Sequence, residues 1–457
     1  MVRFIDREYE LQELEKIWER DTAALIIIYG RRRVGKSRLI QEFLRSKEGL
    51  YYIADDTNRK IQLDELRKRL ADYLNDSFLR TAKISEWREL FEYLGNVLPK
   101  DKRFCLAIDE FSYLVKSDPS ITSSLQKFWD TTLSNSKTVL VLSGSLFGLM
   151  SEQVLSAASP LYGRRTKDFL LAPLAQKDAS LFLADFGPED RLKAYFSIGG
   201  IPEYLLKAAV HKSSDDFFAH EFFAKDGYFY REPYYLLSQE FKEIKTYFSM
   251  LNAISYGNSK PVDIANFCGI KARELYPYLE NLLRLNFIRR EVSLFGKRQN
   301  GIYSIKDTLF DFWFNFVYPR REDIEKNIFS LERNKLSTYC GKRFESYVRD
   351  EVVHFILPFR ADQIGRWWHK ENEIDAIAFS ESSQDILFAE CKWSEKVDAK
   401  QVLASLRVKT PLVQWHNETR HEHFAIFAKS FKRKEDLGGN VRLYDLKDIL
   451  KAAKPKK

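Results

Sequence analysis

Residues 30–37 have the types and the spacing of a phosphate-binding loop, Gly-x4-Gly-Lys-Ser. An apolar stretch, 23–29, precedes the loop, and a segment with a helical pattern, 37–45, follows it. In this setting the glycines let backbone N–H groups curl around phosphate oxygens, and the helix N-terminus adds its positive dipole end. We expect Lys36 to contact the β and γ phosphates of ATP and Ser37 to bind Mg²⁺. The predicted nucleotide-binding residues of this loop are Gly30, Arg31, Arg32, Arg33, Val34, Gly35, Lys36, Ser37 and Arg38.

Two carboxylates, Asp109 and Glu110, directly follow a second apolar run, 103–108. Beside a phosphate-binding loop, Asp109 could hold Mg²⁺, and Glu110 could orient and deprotonate the attacking water. A third apolar run, 138–142, ends at Ser143, whose hydroxyl could polarise that water or sense the γ-phosphate. The alternative for Ser143 is a plain junction between a strand and a turn. The pair of carboxylates predicts hydrolysis of ATP as well as binding.

The elements that must position these residues are strands that alternate with helical patterns. Five apolar, β-rich runs predict the strands, at 23–29, 50–54, 103–108, 138–142 and 168–171. Such alternation predicts an α/β fold with a parallel sheet covered on both faces. From 174 to 239 the apolar residues recur at helical spacing, which predicts a small helical bundle.

The first half of the chain resembles the AAA+ superfamily and, within it, the archaeal-type ATPases close to the STAND branch. The resemblance rests on segments 4–11, 29–37, 108–110, 143–145, 160–165 and 199–202. It implies an ATPase core at 1–173 and a helical lid at 174–239. It places Ser143 at the sensor-one position and Pro202 against adenine or its lid. Arg164 or Arg165 falls where an arginine finger reaches the γ-phosphate of a neighbouring subunit; alternatively, this Gly-Arg-Arg segment caps surface carboxylates.

The region 240–320 resembles a winged-helix domain. Residues 261–271 have the pattern of a helix and a turn, a second helix is predicted at 273–285, and two strands flank a basic loop at 294–300. DNA contact would place the second helix in the major groove and the loop on the backbone. That helix carries Glu274 and Glu280, so a protein contact is the alternative. The aromatic run 307–318 could stack on bases, but we predict that it packs in a core.

In the C-terminal region, Asp375 and Glu390 each lie on an apolar run, and Lys392 is two residues beyond Glu390. Adjacent antiparallel strands would bring both carboxylates together to bind Mg²⁺ or Mn²⁺, with Glu390 and Lys392 on one strand face. Lys392 could hold or deprotonate an attacking water while the metal stabilises charge on the phosphate. We therefore predict Asp375, Glu390 and Lys392 as catalytic residues, with the two carboxylates as metal ligands.

This region, 336–457, resembles the PD-(D/E)xK nucleases and the domain of unknown function often attached to archaeal-type ATPases. The resemblance implies an α/β fold, an acid on the first helix at Glu345 and a polar residue on a later helix at Gln401. Ile374 replaces the proline of the motif. The alternative is a degenerate nuclease fold that only binds. His416, His421 and His423 have an imaginable metal-ligand spacing, but we predict a solvated loop there.

Composition limits the partners. Lys and Arg exceed Asp and Glu by 73 − 65 = 8, which suits a polyanion such as DNA. No apolar run is long enough to span a bilayer. The four cysteines form no Cys-x-x-Cys pair, which fits a reducing compartment, and we expect a cytoplasmic protein. The leading hypothesis is an ATP-driven switch coupled to a DNA-directed nuclease-like domain; a non-cleaving regulator or scaffold and an ATPase that forms homo-oligomers on ATP are the alternatives.

Overall fold

The computed structural model describes residues 4–241, 243–296 and 301–452. These residues form two compact units. The first extends to Pro173 and includes Ile201–Glu203, whereas Leu174–Gly200 and the chain from Tyr204 onward form the second. The regions predicted as three later domains, 174–239, 240–320 and 336–457, thus lie almost entirely in one unit.

The first unit is an α/β layer structure built on a five-stranded sheet. Its strands are β1 (Ala24–Gly30), β2 (Gly49–Ile53), β3 (Phe104–Asp109), β4 (Thr138–Gly144) and β5 (Lys167–Leu171). Its helices are α1 (Glu8–Glu19), α2 (Lys36–Leu44), α3 (Arg59–Leu74), α4 (Ser77–Thr81), α5 (Trp87–Val97), α6 (Phe111–Ser117), α7 (Ser120–Thr131) and α8 (Phe147–Met150).

All neighbours in this sheet are parallel, in the order β2-β3-β4-β1-β5. The α/β class and the parallel sheet predicted from the sequence are confirmed, and each strand begins and ends within two residues of a predicted run. Strands β3 and β4 are buried along their whole length, as expected for a parallel sheet with both faces covered. Since the carboxyl ends of parallel strands meet at one edge, the ends of β1, β3 and β4 lie side by side.

The second unit begins with helices. They are α9 (Gln176–Phe182), α10 (Pro188–Ile198), α11 (Pro202–Ala208, whose first two residues belong to the first unit), α12 (Ser214–Glu221), α13 (Tyr228–Glu240), α14 (Ile244–Ser255), α15 (Pro261–Cys268) and α16 (Ala272–Arg284). An antiparallel pair, β6 (Ile288–Glu291) and β7 (Ile302–Ile305), follows, with α17 (Thr308–Phe312) and α18 (Arg321–Glu325) after it. Seven apolar side chains between Leu309 and Val317 are buried, so the core prediction for the aromatic run is confirmed.

The rest of the second unit is a helix followed by a mixed sheet. Its helices are α19 (Arg333–Tyr347), α20 (Val353–Ile356), α21 (Ala399–Lys409) and α22 (Leu446–Ala452), and its strands are β8 (Gln363–His369), β9 (Asn372–Ser380), β10 (Asp385–Lys392), β11 (His421–Ala428) and β12 (Val441–Tyr444). The strand order is β8-β9-β10-β11-β12, antiparallel up to β10 and parallel beyond it. Helix α21 makes the crossover between the parallel strands β10 and β11.

The segment after β6 packs on this mixed sheet. The N–H of Leu294 donates to the carbonyl of Arg366 on β8 over 2.9 Å, and the Ser293 hydroxyl pairs with the backbone of Trp368. Leu294 belongs to the sheet's apolar core. It lies over Gly365, where an added Cβ would come within 2.8 Å of the leucine Cγ. The start of the predicted wing is therefore fixed against the C-terminal sheet, and its tip, 297–300, lies outside the described residues.

Candidate active sites

The predicted phosphate-binding loop joins the end of β1 to the start of α2. Gly30 and Gly35 have φ values of 153° and 101°, and Arg33 has a φ of 67°. A Cβ on Gly30 would lie 2.5 Å from the carbonyl oxygen of Leu171, so this position also requires glycine for space. Helix α2 starts at Lys36, directly after Gly35, which points its N-terminus at the loop.

Lys36 lies inside the loop. Its Nζ donates to the carbonyls of Gly30, over 3.1 Å, and Arg31, over 2.9 Å, and the residue is 4% exposed. The two neighbouring arginines are held outward, with Arg32 donating to the Tyr113 hydroxyl over 2.6 Å and Arg33 pairing with Glu203 over 3.3 Å. The loop thus gathers a buried ammonium group and a helix N-terminus around one point, an arrangement that suits phosphate.

Asp109 is the meeting point of three donors at the end of β3. Its carboxylate accepts from the Tyr51 hydroxyl over 2.6 Å, from the Ser143 hydroxyl and from the N–H of Glu110 over 3.0 Å. Burial and the hydrogen bond to Asp109 raise the pKa of Tyr51, and hydrogen bonds with Ser37 and Gln41 oppose that rise. Ser37 and Asp109 therefore both approach the hydroxyl of Tyr51. This oxygen-only donor set fits Mg²⁺.

Glu110 follows Asp109 with a left-handed φ of 53°. Its Oε2 accepts from the hydroxyl of Ser145 over 2.6 Å and from the N–H of the same residue over 3.2 Å. Ser145 is fully buried just beyond β4. The predicted general base is thus fixed by the strand end that also carries Ser143.

Arg164 and Arg165 both have partners within the first unit. Arg164 makes a two-pronged ion pair with Asp130, with both N–O distances at 2.8 Å, and also donates to the carbonyl of Pro160. The Arg164 guanidinium lowers the pKa of Asp130. Arg165 pairs with Asp168 over 3.4 Å. These contacts favour the alternative of capped surface carboxylates over an arginine aimed at a neighbour. Pro202 begins α11, next to the Glu203 that pairs with Arg33.

A second group of acids lies in the mixed sheet. Ala376 on β9 pairs with Ala389 on β10, and one step further along the ladder Asp375 lies beside Glu390. Asp375 accepts from the N–H of Cys391 over 2.8 Å. Lys392 Nζ contacts Glu390 Oε1 over 2.8 Å, as expected for residues two apart on a strand.

Burial raises the pKa of Asp375 to about 8, and the negative charges of Glu345 and Glu390 add to the rise. Burial also raises the pKa of Glu345, with Arg366 opposing the rise and Glu373 adding to it. The pKa of Lys392 is raised because Glu390 outweighs the opposing effect of burial. Three carboxyl groups thus share one region, and their oxygens are a donor set that fits Mg²⁺ or Mn²⁺.

Glu345 also lines a cleft of ≈ 520 Å³ between α19 and the β6–β7 pair. Lys335 and Lys342 of α19 line this cleft, as do Arg289 of β6 and Arg366 of β8. The lining is mixed in charge, because Glu291, Asp311 and Glu373 also line the cleft and pair with its arginines.

Gln401 and the three histidines lie apart from these acids. Gln401 is exposed in the first turn of α21. His423 lies 2.9 Å from Asp385, with His421 beside it, while His416 lies 3.4 Å from Glu381. The predicted solvated loop holds for His416, but it is wrong for His421 and His423, which lie on β11 where their side chains pair with Asp385.

Four residues with contacts at these sites were absent from the predicted sets. Tyr51 and Ser145 contact the two acids after β3, and Arg7 donates to the carbonyls of Val34 and Ala172 beside the loop. Lys409, at the end of α21, contacts both oxygens of Glu390, over 3.3 and 3.2 Å. Arg7 and Ser145 lie in segments that carry the family resemblance, so the resemblance could have identified them as site residues. No pattern in the sequence points to Tyr51 or Lys409.

Comparison with known proteins bears on both units. An ATPase domain family predominantly from Archaea matches residues 4–208, and a family of archaeal and bacterial proteins of unknown function matches residues 313–402. The uncharacterised protein MJECL04 of Methanocaldococcus jannaschii is 35% identical over 458 residues, 98% of this chain and 100% of its own. A shorter relative from that organism, the uncharacterised ATP-binding protein MJ0423, is 52% identical over 48 residues, 10% of this chain and 81% of its own.

Among solved structures, the Walker-type ATPase PABY2304 of Pyrococcus abyssi matches with a TM-score of 0.51 and 22% identity, covering 68% of this chain and 96% of that one. At this identity the match shows the fold alone. Of the residues that the structure describes, none form a helix long and apolar enough to cross a membrane.

Proposed function

The chain belongs to a family of archaeal AAA+-type ATPases, and on that premise we propose that its ATPase unit acts as a switch coupled to a metal-dependent, nuclease-like domain that binds or cleaves DNA. Binding and hydrolysis of ATP, with Mg²⁺, follow from the ATPase family. The finer proposal rests above all on the convergence of Glu345, Asp375, Glu390 and Lys392 in the second unit.

In the ATPase unit, the roles follow from the contacts. Lys36 exchanges the carbonyls of Gly30 and Arg31 for phosphate oxygens, while the N-terminus of α2 faces the same phosphates. Ser37 and Asp109 would hold Mg²⁺, which when bound neutralises phosphate charge. Glu110 accepts the proton of the attacking water at its carboxylate. Ser143, bonded to Asp109, keeps that carboxylate oriented.

In the second unit, Glu345, Asp375 and Glu390 would hold Mg²⁺ or Mn²⁺, which when bound stabilises negative charge on a phosphodiester. Lys392 holds the attacking water beside Glu390. The order of elements, α19, then β8 to β10, then α21, supports the resemblance to the PD-(D/E)xK fold. Lys335 and Lys342, which line the cleft beside Glu345, support contact with a phosphate backbone there.

The elements α15, α16, β6 and β7 support a winged helix as the DNA-recognition part. Buried Ile264, Leu275 and Leu279 form the inner face. The exposed side of α16 is mixed in charge, with Arg273 and Arg284 beside Glu274 and Glu280. Such a face suits a protein partner as well as DNA.

A non-cleaving regulator is the second candidate, and one contact favours it. Lys392 and Lys409 both contact Glu390, so two ammonium groups already neutralise the carboxylate that a divalent cation requires. In this form the fold binds DNA or protein without cutting it. A third candidate is an ATPase that forms homo-oligomers on ATP binding, with an arginine finger from the neighbouring subunit. The ion pairs of Arg164 and Arg165 weigh against it. Mass measurements with and without ATP would detect such oligomers.

The test of cleavage uses the full chain with Mg²⁺ or Mn²⁺, with and without ATP, on single-stranded, duplex and branched DNA. The double variant Glu390→Ala, Lys392→Ala runs alongside to exclude a contaminating nuclease. Lys36→Ala serves as the matched control in which the acids are intact and the nucleotide site is not. Cleavage that requires Glu390 and Lys392, and that changes with ATP in wild type but not in Lys36→Ala, is the expected result. Intact ATP turnover with no cleavage on any substrate would favour the regulator.

A further inference from the structure

Two histidines and an aspartate, none of which belongs to either site described above, come together between α11 and α13. His211 precedes α12, whereas Asp216 and His220 lie on it, one turn apart. One candidate ligand atom from each of the three lies within 4.8 Å of the other two. Phe217, a fully buried residue of α12, contacts the His211 ring, with centroids 5.8 Å apart. This contact holds His211 against the helix that it precedes.

The ligand atoms are near enough to gather around one metal ion, with the two histidines next to different oxygens of Asp216. His211 Nδ1 lies 3.4 Å from Asp216 Oδ2, and His220 Nδ1 lies 3.1 Å from Asp216 Oδ1. Zn²⁺ binds nitrogen and carboxylate oxygen at about 2.0–2.2 Å, so ligands at the corners of a tetrahedron are about 3.3–3.5 Å apart. Two imidazoles favour a transition metal over Mg²⁺ or Ca²⁺. His220 Nδ1 is also 2.9 Å from the main-chain oxygen of Asp216, so metal binding requires a rotation of this ring, whose side chain is 67% exposed.

The second nitrogen of His211 has its own carboxylate. Nε2 lies 3.3 Å from Glu221 Oε1, and Glu221 Oε2 accepts the N–H of Tyr228 at the start of α13 over 3.1 Å. A neutral imidazole carries one N–H, so Glu221 can accept it at Nε2 and leave the lone pair of Nδ1 facing Asp216. A histidine that ligates through one nitrogen and donates the other to a carboxylate is the usual outer arrangement of a protein zinc site.

We propose that His211, Asp216 and His220 form a Zn²⁺ site, with Glu221 as the positioning residue for His211 and water completing the coordination. Through His211 and the Glu221–Tyr228 bond, the metal ties the turn before α12 to the start of α13. The site is structural, because its ligands fasten the turn before α12 to that helix, and Glu221 carries the link to α13.

The test titrates the full chain, freed of metal with a chelator, with Zn²⁺ by calorimetry. Excess Mg²⁺ is present to fill the sites built from oxygen alone. The variants are His211→Asn, His220→Asn and Glu221→Gln, and His354→Asn is the control for a histidine outside the cluster. Circular dichroism of each variant checks the fold; His220→Asn changes a mostly exposed ring, so it decides the question if His211→Asn fails to fold.

One equivalent of Zn²⁺ bound by wild type and His354→Asn is expected. We expect about 10- to 100-fold weaker binding in Glu221→Gln and a larger loss in the two histidine variants. Co²⁺ in place of Zn²⁺ should give the intense visible bands of a tetrahedral site in wild type only. Wild type without tight Zn²⁺ binding under excess Mg²⁺ would overturn the proposal. So would His220→Asn binding like wild type; the cluster would then be a set of side-chain contacts within α12 and the turn before it.

Discussion

Ser145 donates two hydrogen bonds to one oxygen of Glu110, and we expect Ser145→Ala to raise kcat for ATP hydrolysis. A carboxylate oxygen that already accepts two hydrogen bonds is a weaker base, and these bonds hold it toward the end of β4. Both lone pairs of Oε2 are occupied by these bonds, so proton transfer from water to this oxygen requires that one of them break. Removal of the hydroxyl lowers the cost of that step.

The size of the effect follows from the geometry. The bond from the Ser145 hydroxyl to Glu110 is 2.6 Å long, and a hydrogen bond to a charged group contributes about 1.5–3 kcal/mol. The N–H bond at 3.2 Å remains, and water replaces part of the loss because Glu110 is only half-buried. We therefore expect the activation free energy of hydrolysis to fall by about half the full value, roughly 0.7–1.5 kcal/mol. This corresponds to about a three- to twelvefold rise in kcat.

The assay is steady-state release of phosphate at saturating ATP and Mg²⁺. Ser112→Ala is the matched control, because this buried serine is two residues from Glu110 and its hydroxyl has no hydrogen-bond partner among the described residues. Glu110→Gln, which removes the base itself, should abolish turnover in either background. A Ser145→Ala variant with unchanged kcat, beside an unaffected Ser112→Ala, would refute the reasoning. A lower kcat would refute it too and would make Ser145 a residue that helps Glu110 in catalysis.

Three further predictions concern single side chains. Lys36→Ala should abolish binding of a fluorescent ATP analogue, because the ammonium group that reaches the phosphates is gone; affinity equal to wild type would rule out this loop as the site. Lys409→Met should tighten Mn²⁺ binding measured by calorimetry, because a competing cation leaves Glu390. Leu294→Ala should lower the free energy of unfolding by about 2–5 kcal/mol in urea titrations, because a leucine 5% exposed is lost from the core of the mixed sheet.

Each of the three has a surface control. Lys116→Ala removes an exposed lysine of the ATPase unit and should bind the nucleotide like wild type. Lys400→Met alters the same helix as Lys409 but releases Glu435, so it should leave Mn²⁺ binding unchanged. Leu412→Ala, at a leucine 44% exposed, should change stability by less than about 0.5 kcal/mol. A Leu294→Ala variant as stable as Leu412→Ala would contradict the packing of this segment on β8.

What the sequence predicts well is local. The strands of the ATPase sheet are runs of apolar, often β-branched residues, and the loop between β1 and α2 is a short pattern whose glycines are needed at their own positions. The strands that carry Asp375 and Glu390 could also be predicted, because each carboxylate interrupts an apolar run of the sequence. Patterns of this kind depend on neighbours within a few residues, so one sequence is enough to find them.

The partners of these residues depend on distant parts of the chain. Tyr51 reaches Asp109 because β2 lies beside β3, and Lys409 reaches Glu390 because α21 crosses back over the sheet. Neither pairing has a spacing that a sequence pattern could reveal. The packing of Leu294 on β8 is of the same kind, because it joins two segments about 70 residues apart within one unit.

Residues 293 and 294 cover the outer edge of β8, and this determines where the chain can be truncated. Strand β8 is the outer strand of its sheet, and Ser293 and Leu294, which precede helices α17 to α20 in the chain, bond to its backbone. A fragment that starts at 336 would expose those backbone groups to solvent, together with the apolar surface at Gly365 that Leu294 covers. Uncovered outer strands recruit other strands, so such a fragment should aggregate where the whole chain does not. Any truncation intended to isolate the acidic site must therefore keep the segment from β6 onward.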